Sequence, residues 1–266
     1  MEVTSPQALI SPEERQRILS LNDGERQEKA LRSLGKVNAV ITGSHFVYSS
    51  GKHGSDYVAK DIVGSYPTTQ TRPLARLIAE HIMGLEPKYR PRIVLGLAPA
   101  TIAFAHEVAC DIIPMAEEES NIAYDDEVRF AYIEKHDDGE MFIARGFPGL
   151  INSMETAWII EDVWNTGKSG KEAVKAFKKY CPGARLLGMA AICNRGGVTA
   201  EMLGCGDDPD FQTYALTNVE MATYDPEDCP HCRANVPLRT DIGHGAKWLE
   251  TEAGQAWLAS GGIIAT

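Results

Sequence analysis

The stretch from Ala157 to Ala173 reads Ala-Trp-Ile-Ile-Glu-Asp-Val-Trp-Asn-Thr-Gly-Lys-Ser-Gly-Lys-Glu-Ala and constrains the fold more than any other part of the chain. The apolar run Ala157 to Ile160 suits a buried parallel strand. It ends in two adjacent carboxylates, Glu161 and Asp162, and a loop of small polar residues, Asn165 to Gly170, comes next. A helical pattern follows, with Ala173, Val174 and Phe177 on one face and Lys171, Lys175 and Lys178 elsewhere. Strand, acidic pair, small-residue loop and helix make an anion-binding layout, because a helix N-terminus presents unpaired N–H groups and the positive end of its dipole.

Similar units recur along the chain. Arg92 to Leu97 reads as a buried strand, with Ala100 to Cys110 as the helix after it and Ile112 to Met115 as a short strand. Glu117 to Glu119 reads as a solvated loop. Val128 to Lys135 and Met141 to Ala144 are expected to pair as a hairpin, and Arg185 to Cys193 and Phe211 to Leu216 to add further strands. Residues 12–34 read as two short helices, and Val37 to Val47 holds a strand. A helix opening at Thr71-Arg72-Pro73 carries the stripe Leu74, Leu77, Ile78 and Ile82, and Ala246 to Leu258 reads as a terminal amphipathic helix. Alternating strands and helices imply an α/β domain, a Rossmann-like twisted and mainly parallel sheet flanked by helices. Ligands of such sheets bind beyond the carboxyl ends of the strands. The loops 97–101, 161–170 and 194–197 all fall there and are expected to converge.

Charge and composition narrow the function. The chain has 266 residues and a net charge of −11, which argues against a nucleic-acid partner or an anionic membrane surface. No apolar run is long enough to span a bilayer, and the first residues lack the basic and apolar regions of a signal peptide, so a cytoplasmic protein is expected. Of six cysteines, only Cys229 and Cys232, in Cys-Pro-His-Cys, have metal-like spacing. They are candidate zinc ligands, but the second half of such a site has no match in the pattern: His231 lies inside the pair, and His244 follows with no defined partner. A turn carrying two buried thiols fits the same residues.

Thr166-Gly167-Lys168-Ser169 looks like the end of a nucleoside-triphosphate loop, but that motif needs Gly where Asp162 stands, and a carboxylate there repels a polyphosphate. The acidic pair suits another ligand. Two carboxylates at a strand end can hold sugar hydroxyls, orient water on Mg²⁺ and place negative charge beside a carbon that becomes cationic. Ile159 to Ser169 resembles the phosphoribosyl-pyrophosphate (PRPP) motif of type I phosphoribosyltransferases. Phe46 to Tyr57 resembles the N-terminal segment of the orotate members, Gly96 to Thr101 lies where they have a pyrophosphate loop, and Asn194-Arg195-Gly196-Gly197 resembles their Asp-Arg-x-x-Gly-Gly segment.

The resemblance implies the type I phosphoribosyltransferase fold with a small hood subdomain. It divides the chain into an N-terminal helical segment (1–40), the phosphoribosyltransferase domain (41–222) and a C-terminal tail with the Cys-x-x-Cys turn and a helix (223–266). It implies transfer of phosphoribosyl from PRPP to a nucleobase, with Mg²⁺ as cofactor, in a homodimer. Glu161 and Asp162 would be catalytic and hold Mg²⁺ through water. Ala98, Pro99, Ala100 and Thr101 would bind the pyrophosphate, and Asn165, Thr166, Gly167, Lys168, Ser169 and Gly170 the 5-phosphate. Arg195, Tyr57 and Lys60 would bind the base; Lys135 and His136 would stand in for the catalytic-loop cations. The 98–101 loop lacks the family's lysine, and only Lys135 and His136 answer its Arg-Lys-x-x-Lys-x-His-Gly loop. Asn165 stands where purine enzymes carry a proton-handling Asp and cannot act as a base near neutral pH, whereas Arg195 suits a carboxylated base. Orotate is the expected acceptor. Another base (purine or uracil salvage), or a non-catalytic PRPP-binding regulatory protein, is the alternative.

Overall fold

Three segments of the computed structural model are apolar almost without interruption, and they form the centre of one sheet. The structure describes residues 23–59, 63–120, 128–143, 147–151, 155–219 and 221–265. Its elements run α1 (Asp23–Lys36), β1 (Val40–Ile41), β2 (Phe46–Val47), β3 (His53–Gly54), β4 (Tyr57–Val58), α2 (Arg72–Gly84), β5 (Ile93–Leu97), α3 (Ile102–Ser120), β6 (Arg129–Lys135) and β7 (Met141–Ile143). Then come α4 (Phe147–Leu150), β8 (Thr156–Trp164), α5 (Lys168–Tyr180), β9 (Arg185–Asn194), β10 (Gln212–Asn218), α6 (Pro230–Arg233), α7 (Gly245–Trp248) and α8 (Glu252–Ala259). β5, β8 and β9 are buried on both faces, as parallel strands covered by helices must be.

The sheet order is β10-β9-β8-β5-β6-β7, parallel except for the antiparallel edge strand β7. Side chains alternate across it with the period of two. Trp158 and Ile160 face a core that contains Ala30 and Leu34 of α1, Leu74 and Ile78 of α2, and Phe104 and Val108 of α3. Ala157 and Ile159 face the other core, with Ala173, Val174 and Phe177 of α5. The helix after β5 thus packs on one face and the helix after β8 on the other, although β5 and β8 are neighbours. Such a switch point opens a crevice beyond the carboxyl ends of the two strands.

The architecture is the expected α/β sheet flanked by helices, and the apolar stripes of α2 and α5 are buried as expected. Several elements differ. Ile112 to Met115 is no strand, and Glu117 to Glu119 no loop: both belong to α3, which runs to Ser120. Ile112 packs in the same core as Val108 one turn earlier, so helical burial accounts for the apolar run. Val37 to Val47 holds two short strands rather than one, and each pairs in its own hairpin, β1 with β4 and β2 with β3. The terminal helix is divided between α7 and α8, where Thr251 caps α8 by accepting from the Gly254 amide. Of the two expected N-terminal helices, α1 is described and the residues before Asp23 lie outside the described residues. Among the described residues, no helix is long and apolar enough to cross a membrane.

Candidate active site

The acidic pair follows directly on the apolar run of β8, two residues before the strand ends at Trp164. Glu161 and Asp162 are 7% and 8% exposed and line a cavity of about 310 Å³ beyond the carboxyl ends of β8 and β9. The same cavity is lined by Asn165, Thr166, Gly167, Lys168 and Ser169, by Arg195 after β9, and by Tyr48, Ser49, Tyr57 and His244. Five separate parts of the chain meet there.

The 165–169 loop is shaped by Gly167, whose φ of +72° lies in the left-handed region that favours glycine. Gly167 precedes α5, and its carbonyl accepts the Lys171 amide at 2.8 Å, so the helix begins at Lys168 directly on the cavity wall. The first-turn N–H groups and the Lys168 ammonium give this end of the cavity positive potential. Gly170 is buried, packs against Leu203 and does not line the cavity.

Arg195 is held by its neighbours. Its amide donates to Trp164 O at 3.0 Å. The Asn194 side chain closes the turn around it, accepting from the Val198 amide (2.9 Å) and donating to Val198 O (3.1 Å). The guanidinium lies over the Tyr48 ring, with Cζ 4.2 Å from the centroid. Its Nε is buried without a hydrogen-bond partner among the described residues, and Nη1 reaches only Met221 Sδ at 3.9 Å. A half-buried guanidinium so poorly satisfied suits an anionic or carboxylated ligand. Tyr48 donates to Asp56 O at 2.6 Å, and burial pushes its phenol up, so it stays neutral. Tyr57 stacks on Phe46 with centroids 5.3 Å apart.

Of the residues singled out from sequence, Glu161, Asp162, Asn165, Thr166, Gly167, Lys168, Ser169, Arg195 and Tyr57 share this one cavity. The 98–101 loop does not line it. Ala100 and Thr101 line a second cavity of about 140 Å³, which shares Asp162. The Thr101 hydroxyl is buried and occupied by main chain: it accepts from Leu97 N (2.7 Å) and lies 3.0 Å from Ile160 O, tying this loop to β8. Lys135 and His136 line neither cavity. They form the β6–β7 turn, where Lys135 is exposed and His136 stacks on Phe142 at 3.7 Å. Lys60 lies outside the described residues. Tyr48, Ser49 and His244 were not among the expected site residues. Tyr48 and Ser49 fall within the segment matched by resemblance, whereas His244 arrives from the tail through a main-chain bond to Val47 O at 3.0 Å, which no local pattern reveals.

No protein-family model matches the chain. It is 28% identical over 214 residues to the orotate phosphoribosyltransferase of Thermotoga petrophila, covering 80% of this chain and 97% of that protein. It is 29% identical over 212 residues to the orotate phosphoribosyltransferase of Caldanaerobacter subterraneus subsp. tengcongensis, covering 80% and 95%. Similar solved structures include orotate phosphoribosyltransferase from Aeropyrum pernix (16% identity, 71% of this chain and 92% of that one, TM-score 0.48). Adenine phosphoribosyltransferase from Leishmania donovani is another (14% identity, 74% and 82%, TM-score 0.48). The chain is similar in sequence to phosphoribosyltransferases and shares the α/β sheet architecture of the type I class. Within that class, its resemblance is to the proteins named orotate phosphoribosyltransferase.

Proposed function

We propose that the protein transfers the phosphoribosyl group of PRPP to a nucleobase with release of pyrophosphate, and that the base is orotate. The observation that carries this reading is the single cavity shared by the acidic pair, the Asn165–Ser169 loop and Arg195. Each part has a task. The amides of the loop and the start of α5, with Lys168, hold the 5-phosphate. Glu161 and Asp162 hold the ribose hydroxyls and stabilise the positive charge that develops at C1 as the pyrophosphate departs. Arg195, backed by Tyr48, receives the base carboxylate, and Tyr57 lies beside it on the wall. Asn165 cannot itself serve as the general base that a purine acceptor would call for.

Mg²⁺ is part of the proposal. Hard oxygen donors suit it, and two nearly buried carboxylates on the cavity wall supply them through water. When bound, the ion neutralises the charge of the departing pyrophosphate. The second cavity, which Ala100 and Thr101 line together with Asp162, would receive that leaving group. Lys135 and His136 stand away from both cavities, so their proposed part is to reach the pyrophosphate of a neighbouring subunit in a homodimer.

One observation favours a second reading. The only Lys or Arg side chains on the main cavity among the described residues are Lys168 and Arg195, and neither lies in the 98–101 loop. A PRPP-binding regulatory protein without turnover fits so sparse a set. Calorimetric titration with PRPP, with and without Mg²⁺, tests the donor site common to both readings. Saturable binding that strengthens with Mg²⁺ is expected; no binding under either condition overturns both.

A further inference from the structure

The Cys229-x-x-Cys232 turn finds its missing half far away in the chain. His45, just before β2, and His53, in β3, bring their rings to the two thiols, so that one donor atom from each of the four residues lies within 4.8 Å of the others. His45 Nε2 is 2.9 Å from His53 Nδ1, 3.7 Å from Cys229 Sγ and 3.6 Å from Cys232 Sγ, and Cys232 Sγ is 3.3 Å from His53 Nδ1. A tetrahedral zinc with bonds of about 2.3 Å to sulfur and about 2.0 Å to nitrogen separates its ligands by about 3.3 Å (N to N) and about 3.5 Å (N to S). The four donors therefore stand at nearly the spacing of a closed tetrahedral shell.

Their surroundings complete the case. His45, His53 and Cys229 are wholly buried. His45 Nδ1 lies 3.0 Å from Val236 O, a contact that places the proton on Nδ1 and leaves the Nε2 lone pair facing the thiols. Trp248 meets the His53 ring edge-to-face at 4.6 Å and Trp257 meets His45 at 6.1 Å, shielding the cluster with apolar surface. The apolar cluster here is small, with Val47, Leu238 and Trp248 as its buried members. So little buried surface holds a tail of this length weakly, which is the circumstance in which a structural metal contributes most.

We propose that His45, His53, Cys229 and Cys232 bind one structural zinc ion, which fastens the C-terminal tail to the β2–β3 hairpin and so fixes a wall of the main cavity. Four protein ligands leave no open position, so the ion is structural and not catalytic. The hairpin between the two histidines carries Tyr48 and Ser49, and the tail carries His244; all three line the cavity.

Metal analysis of the full chain, purified without a metal-affinity tag, is expected to find about one zinc per chain. A thiol-blocking mercurial should release it to a colorimetric chelator. Cobalt(II) exchanged into the protein should show thiolate-to-metal charge transfer and the intense visible bands of a tetrahedral ion. Cys232→Ser and His53→Ala should each lower metal content at least about tenfold, while Cys110→Ser, at an exposed thiol, should leave it unchanged. Should the variants fail to fold, the cobalt spectrum of the unaltered chain decides. Zinc-free protein from zinc-supplemented cells with no tetrahedral cobalt spectrum, or a Cys229–Cys232 disulfide in freshly isolated protein, would overturn the proposal.

Discussion

The Arg195 guanidinium lies 4.2 Å above the ring of Tyr48, joining the turn after β9 to the β2–β3 hairpin across the cavity wall. The ring aims the guanidinium without neutralising it, which leaves its charge for a ligand. Arg195→Ala is therefore expected to raise the KM for orotate by about 10–100-fold, while PRPP affinity changes little. Arg195→Lys should recover little, because an ammonium cannot make a paired contact to a carboxylate. Tyr48→Phe should keep most activity and Tyr48→Ala should not. Steady-state kinetics with each substrate varied separately reads all four variants.

The acidic pair should matter to the chemistry more than to the fold. Glu161→Gln with Asp162→Asn keeps shape and volume but removes both charges, and is expected to lower kcat by about 100-fold or more. Circular dichroism and the unfolding midpoint should stay near those of the unaltered protein. Full activity in the double variant would remove these residues from the site.

Gly196 makes a sharper test of geometry. A Cβ there would fall 1.4 Å from the Asn165 carbonyl oxygen, a contact no side-chain adjustment relieves because the obstacle is main chain. Gly196→Ala must push the Arg195 turn and the phosphate loop apart. The expected result is a loss of about 2 kcal/mol or more in urea unfolding, with PRPP and base binding weakened together. Gly197→Ala, where nothing lies within 4 Å, meets no clash but carries the strain of its φ of +61°. It should weaken binding less.

His81 is one of the buried histidines expected to limit stability in acid. Burial is the main cause that pushes its pKa down to about 4, and its ring stacks on Tyr214 at 3.5 Å. The folded pKa lies below the unfolded value, so between the two the unfolded chain binds a proton that the folded chain refuses. Stability contributed by neutral His81 is present above about pH 6.5 and is lost as the pH falls toward about 4, by about 3 kcal/mol in all. His81→Phe keeps an aromatic ring on Tyr214 and removes the titration. Urea midpoints measured between about pH 7 and about pH 5 should fall less steeply in this variant than in the parent.

What could be read in advance followed the range of the interactions. β8, the acidic pair, the phosphate loop and α5 are consecutive, so strand burial, turn residues and helix periodicity all appear in one short stretch. The stripe Leu74, Leu77, Ile78 and Ile82 was legible for the same reason. Ile112 to Met115 misled because a short apolar run has the same composition in a buried strand and a buried helix. The bond of the Thr101 hydroxyl to Ile160 O crosses between strands and leaves no local trace. Tyr48 against Arg195, His244 on the cavity wall and His45 beside Cys229 are likewise contacts between distant segments, carried by no periodicity.

Pyrophosphate release from PRPP, followed with orotate, uracil, hypoxanthine, guanine and adenine in turn and Mg²⁺ present, tests the central claim most directly. The expected result is release that depends on orotate, with orotidine 5′-phosphate as the product and the other bases slower by at least about 100-fold. Release with a purine but not with orotate, or saturable PRPP binding with no release for any base, would contradict it.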